Sequence, residues 1–185
     1  MILFINACER GDSRTKKLAD YLLSKTSESV DELTLGDISF PKTDESFLIK
    51  RDALISKREF DNPMFSLARQ FAAADQIVIA APYWDLSFPA ALKQYIEQIN
   101  VNGVTFTYSS KGYPIGLCKA KKLYYVSTAG GDFAPEEYGF GYVKALAESF
   151  YGIKDVEHIK AVGLDIVGAD EAKIIQECMN DIKPI

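Results

Sequence analysis

The segment Gln76-Ile77-Val78-Ile79-Ala80-Ala81 is apolar on both of its alternating faces and rich in β-branched residues. A strand of that kind has no side suited to water. It belongs inside a sheet covered on both faces, the environment of a parallel sheet in an α/β protein. A loop, Pro82–Pro89, follows, and then a helical pattern over Ala90–Ile99 with Leu92, Tyr95, Ile96 and Ile99 on one face.

The same alternation runs along the chain. Ile2–Cys8 predicts a first strand, and the pattern from Ser13 a helix with Leu18, Tyr21 and Leu22 on its apolar side. Val30–Leu35 predicts a second strand. Two helices are expected next, over Phe47–Lys57 and Asn62–Ala74, the second opened by Pro63. Beyond Ile99, Val104–Tyr108 reads as a short extended piece, Gly112–Gly116 as a turn and Lys122–Ser127 as a strand. Thr128–Gly139 reads as a glycine-containing loop, Tyr142–Phe150 as a helix, Ile159–Leu164 as the last strand and Ala169–Asn180 as the closing helix. Strands alternating with helices imply an α/β fold: a doubly wound, flavodoxin-like sheet of five parallel strands in the order 2-1-3-4-5, with helices on both faces. No repeat or linker divides residues 1–185, so one domain is expected.

Composition narrows the function classes. The formal charge of −5 argues against a bulk electrostatic hold on nucleic acid or an anionic membrane. The longest apolar run, Ile77–Trp84, is far short of a membrane span, and no basic stretch precedes Ile2; a cytoplasmic protein with no membrane insertion is expected. Cys8, Cys118 and Cys178 lie far apart and the only histidine is His158, so no metal site is expected. His158, near the last strand and away from the loops discussed next, reads as structural. Aromatic residues make up 12% of the chain, enough to fill a core and still line a pocket for a flat ligand.

Ligands of such sheets bind beyond the carboxyl ends of the strands, where the winding direction reverses. That rule nominates three loops. Glu9–Thr15 runs into a helix start, where free amides with Ser13, Arg14 and Thr15 suit a phosphate; plain capping by Asp12 or Ser13 accounts for it equally. Pro82-Tyr83-Trp84-Asp85-Leu86 sets two rings and an acid after the buried strand, either to cover a flat ring system or to pack in the core or at a dimer seam. Thr128-Ala129-Gly130-Gly131 lets the backbone approach a ligand closely, or simply turns the chain. No Walker pattern and no G-x-G-x-x-G is present.

Taken together, Ala81-Pro82-Tyr83-Trp84-Asp85-Leu86, Asn102-Gly103-Val104-Thr105-Phe106-Thr107-Tyr108, Gly112, Gly116-Leu117 and Gly130-Gly131 resemble the FMN-dependent NAD(P)H azoreductase and quinone reductase family of flavodoxin-like proteins. The resemblance implies FMN as cofactor, with Ser13, Arg14 and Thr15 at its phosphate, Pro82, Tyr83, Trp84, Asp85 and Leu86 at the isoalloxazine, and Thr128, Ala129, Gly130 and Gly131 at the pyrimidine edge. It further implies NADH or NADPH as hydride donor, a small aromatic acceptor such as a quinone or azo compound, and a homodimer whose sites are completed by the partner. Phe106, Tyr108 and Phe133 become candidates for the substrate pocket. Because the flavin carries the chemistry, no catalytic side chain is required. Ala7 stands where many relatives have serine, Asp85 where many have asparagine, and Ala129 where some have a polar or basic residue. The alternative is a flavodoxin-type electron carrier without substrate turnover, although the Thr/Ser-x-Thr-Gly-x-Thr phosphate loop of such carriers is missing here.

Overall fold

The computed structural model describes residues 1–185. Its main sheet has five parallel strands in the spatial order β2-β1-β3-β6-β7, formed by β1 (Ile2–Asn6), β2 (Val30–Thr34), β3 (Gln76–Ala80), β6 (Lys122–Thr128) and β7 (Asp155–Ala161). Counting only these strands, the order is the expected 2-1-3-4-5. The remaining two strands, β4 (Phe106–Tyr108) and β5 (Pro114–Gly116), form an antiparallel hairpin.

The alternation of side chains divides the core into two layers. Leu3, Ile5, Ile77 and Ile79 point to one face, covered by α3 (Ser66–Ala73), α4 (Ala90–Ile99) and α5 (Phe140–Leu146). Ile2, Phe4, Val78 and Ala80 point to the other, covered by α1 (Arg14–Leu23) and α6 (Glu171–Asp181). The remaining helix, α2 (Glu45–Ser56), is capped by Asp44 but buries none of its residues.

Three expectations need correction. The last strand starts at Asp155, four residues before the apolar pattern suggests. As an edge strand it carries Glu157, His158 and Lys160, which hide it from a search for apolar runs. It also ends earlier, because Gly163 at φ +78° turns the chain out of the sheet and leaves Leu164 in a loop. Within the expected turn Gly112–Gly116, Pro114–Gly116 is a strand, and the reversal lies at Ser109–Tyr113 with Gly112 at φ +80°. Glycine is needed at 116 because a Cβ there would run into the Tyr151–Gly152 backbone. Finally, α5 begins at Phe140 and passes at Ala147 into a π-helical turn ending at Tyr151, with left-handed Gly152 as its cap.

Candidate cofactor site

Hydrogen bonds of the sheet continue past the strand ends and hold the nominated loops side by side. Ala7 donates to the Ala80 carbonyl at 2.9 Å, Tyr83 to Thr128 at 3.0 Å, and Ala129 to Ala161 at 2.9 Å. Between these loops lies a cleft of about 440 Å³, lined by Glu9, Arg10, Asp12, Ser13, Arg14, Thr15, Lys17, Pro82, Tyr83, Trp84, Thr128, Gly130, Asp165 and Glu171. That volume falls in the range of roughly 300–1,000 Å³ of small-molecule sites.

At the helix end of the cleft, Ser13 caps α1 by accepting from the Lys16 amide at 3.3 Å. The amides of Arg14 and Thr15 donate to nothing within the chain. Capping and anion binding are therefore compatible: the serine satisfies one first-turn amide and leaves two. The buried Thr15 and Thr128 hydroxyls meet at 2.7 Å, joining the first loop to the third. Arg14 is held by Asp165 at 2.7 and 3.3 Å and by Glu171 at 3.4 Å. The hydrogen bonds that Arg14 donates to Asp165 raise the pKa of Arg14, and the same contact lowers that of Asp165.

Along the side of the cleft, Trp84 and Ser87 exchange backbone hydrogen bonds of 3.1 and 2.7 Å around Asp85 and Leu86. Both central residues have positive φ, 50° and 66°, as a type I′ turn requires, although neither is glycine. Each such residue costs about 1–2 kcal/mol. The turn is held from outside by Ser87 Oγ, which donates to the Tyr138 carbonyl at 2.6 Å, and by Tyr83 Oη, which donates to Pro135 at 3.1 Å. The amides of Asp85 and Leu86 also donate to nothing within the chain. Strain kept in place by neighbouring contacts, with free donors at its apex, is a common feature of ligand sites. Trp84 and Leu86 are exposed at the same loop.

Of the residues nominated from the sequence, Ser13, Arg14, Thr15, Pro82, Tyr83, Trp84, Thr128 and Gly130 share this cleft. Asp85 and Leu86 occupy the adjoining turn; in the third loop Ala129 is buried and Gly131 is exposed, and neither lines the cleft. Phe133 is exposed further along that loop. Phe106 and Tyr108 are not among the residues that line the cleft: they sit on the β4–β5 hairpin, where Phe106 is buried edge-on against Phe150 at 4.9 Å and Tyr108 is exposed. Among the lining residues that sequence reasoning missed are Asp165 and Glu171, from the loop after β7 and the start of α6. The available signal was topological, since the loop after the fifth strand opens at the same edge of the sheet.

His158 lies closer to the third loop than its sequence position implies. Register places it beside Tyr125, where Nε2 lies 2.8 Å from Ser127 Oγ and Nδ1 3.3 Å from Glu136. It stacks on Phe140 at 4.3 Å, and burial holds its pKa down at about 4. Lys160 also binds Glu136. The resulting cluster fastens the loop that carries Gly130. Burial raises the thiol of Cys8, which abuts the first loop, above its ordinary value.

No helix is long and apolar enough to cross a membrane. Residues 1–184 match the model of a family described as having a flavodoxin-like fold. The chain is 34% identical to an FMN-dependent NADH:quinone oxidoreductase of Clostridium beijerinckii, with 98% of this chain and 96% of that protein covered. It is 38% identical to a protein of the same name from Lachnoclostridium phytofermentans, over 94% and 91% of the two chains. Among solved structures, an azoreductase from Bacillus anthracis strain Sterne superposes with a TM-score of 0.84 at 24% identity, over 98% of this chain and 95% of that one.

Proposed function

The chain belongs to the flavodoxin-like family together with proteins named FMN-dependent NADH:quinone oxidoreductase, and on that premise we propose that it is itself an FMN-dependent oxidoreductase. It takes reducing equivalents from NADH or NADPH and delivers them to quinones, azo compounds or similar flat acceptors. The observation that carries this reading is the convergence, on one cleft, of the free amides at the start of α1, the strained Trp84–Ser87 turn and the Gly130 backbone.

These residues fit FMN by their chemistry. The Arg14 and Thr15 amides, with the Ser13 hydroxyl, suit a phosphate, and the Asp85 and Leu86 amides suit the heteroatom edge of a planar ring system. Gly130, which has no Cβ, leaves room at the third loop for the Asp165 carboxylate. The chemistry supplied by FMN in such a site is hydride transfer through the flavin N5, in two half-reactions that give ping-pong kinetics. The protein's own part is to bind, to orient and to shape the field around the ring. Exposed Trp84, Leu86, Phe133 and Tyr138 near the cleft are suited to burial by a flat acceptor and by a second subunit, and a homodimer is part of this reading.

The test is direct. Purified protein incubated with FMN acquires the flavin spectrum, NADH bleaches it, and menadione restores it with steady turnover. Flavin-loaded protein that neither NADH nor NADPH can reduce points instead to an electron carrier, and protein that takes up no flavin overturns the proposal.

A further inference from the structure

The loop that leaves β7 folds back over the third loop of the cleft. The amides of Gly163, Leu164 and Asp165 donate to the carbonyls of Gly131, Ala129 and Gly130 at 2.9, 3.3 and 2.9 Å. This clasp fixes the position of Asp165, whose carboxylate takes the space a Cβ on Gly130 would need. From there it binds both terminal nitrogens of Arg14, while Glu171 in the first turn of α6 accepts from one of them. The two carboxylates thus occupy donors that Arg14 would otherwise present to an anion at the start of α1.

Resting on the flavin reading above, we propose that Asp165, supported by Glu171, competes with the FMN phosphate for Arg14 and so sets how tightly the cofactor is held. Charge supports this assignment. Four carboxylates line the cleft (Glu9, Asp12, Asp165 and Glu171) against three cations (Arg10, Arg14 and Lys17), an unfavourable surrounding for a dianion. The Asp165 side chain is 64% exposed, and an ion pair that open to water is held weakly. A phosphate brings acceptors of higher charge and also engages the free amides of Arg14 and Thr15, so it displaces the carboxylate. The displacement remains a penalty that a chain lacking Asp165 would not carry.

The experiment is an equilibrium titration of the flavin-free protein with FMN and with riboflavin, followed through the fluorescence of Trp84, the only tryptophan. Asp165→Asn keeps the backbone clasp but removes the charge. It is expected to tighten FMN about three- to fivefold, the upper range for an ion pair exposed to water. Glu171→Gln, which removes a single long contact, gives a smaller gain in the same direction. Riboflavin, which has no phosphate, responds to neither change, and adding Arg14→Gln to Asp165→Asn abolishes the gain. FMN binding that is unchanged or weaker in Asp165→Asn, a gain that survives loss of Arg14, or an equal gain for riboflavin overturns the competition while leaving the flavin reading intact. A wild-type protein that binds neither flavin overturns both.

Discussion

Thr15 and Thr128 stand 113 residues apart in the chain, yet their hydroxyls meet at 2.7 Å in the interior. This contact pins the start of α1 to the end of β6, and so sets the spacing between the loop that would hold a phosphate and the loop that carries Gly130. Removing either hydroxyl leaves the other buried and unpaired. Thr15→Ala and Thr128→Val are each expected to cost about 1–2 kcal/mol of stability, and the double variant less than their sum. Urea unfolding of the four proteins measures the coupling, and strict additivity would mean that the hydroxyls find other partners. Ser13→Ala combined with Thr15→Ala should also weaken FMN binding by about 1–3 kcal/mol. Unchanged affinity would remove this loop from the phosphate site.

Tyr95 is fully buried on α4, and its hydroxyl has no hydrogen-bond partner. Burial drives its pKa well above the ordinary tyrosine value. The ring packs edge-on with Phe71 at 6.4 Å, so the aromatic body is useful where the hydroxyl is not. Tyr95→Phe should therefore stabilise the protein by about 1 kcal/mol, the desolvation penalty of one unpaired hydroxyl. A lower thermal midpoint in the variant would show that the hydroxyl is satisfied in solution.

The central strand and the three loops beside it were legible in the sequence because local chemistry dictates both. Ile77–Ala81 has no polar face, and Ser127–Gly131 combines hydroxyls with paired glycines. What stayed hidden depends on partners remote in the chain. β7 is polar because one of its edges has no neighbouring strand, so no apolar run marks its start. The Trp84–Ser87 turn does not carry the Asn-Gly or Asp-Gly signature of its geometry, since its strained residues are held by contacts from Pro135 and Tyr138. Asp165 reaches Arg14 only because the β7–α6 loop is clasped to Gly130, and no spacing rule links residues 151 positions apart.

His158 is held neutral in the fold. With ionised Glu136 accepting from Nδ1–H, Nε2 accepts from the Ser127 hydroxyl, and burial lowers the histidine pKa to about 4 from the ordinary 6.5. The unfolded chain therefore takes up the proton first as the solution is acidified. The stability contributed by neutral His158 is complete above pH 6.5 and is lost as pH falls from there towards 4. The loss should reach about 2 kcal/mol by pH 5. Urea unfolding at pH 7 and pH 5 measures it, and His158→Gln should flatten the difference by that amount. An equal pH dependence in the variant would assign the loss to other groups.

Asp85 sits at the apex of the strained turn, where the resemblance sets the isoalloxazine edge. A carboxylate there donates no side-chain hydrogen bond, and its charge disfavours the anionic reduced form of the flavin. Asparagine tolerates the same left-handed backbone, so Asp85→Asn removes the charge without reshaping the turn. The bound flavin should become easier to reduce. A gain of about 1.4 kcal/mol corresponds to a rise of roughly 30 mV for a two-electron couple. Spectroelectrochemical titration of the two FMN-loaded proteins measures that shift. A midpoint that stays in place or falls would mean that the Asp85 carboxylate points away from the ring and that only its backbone amide faces the cofactor.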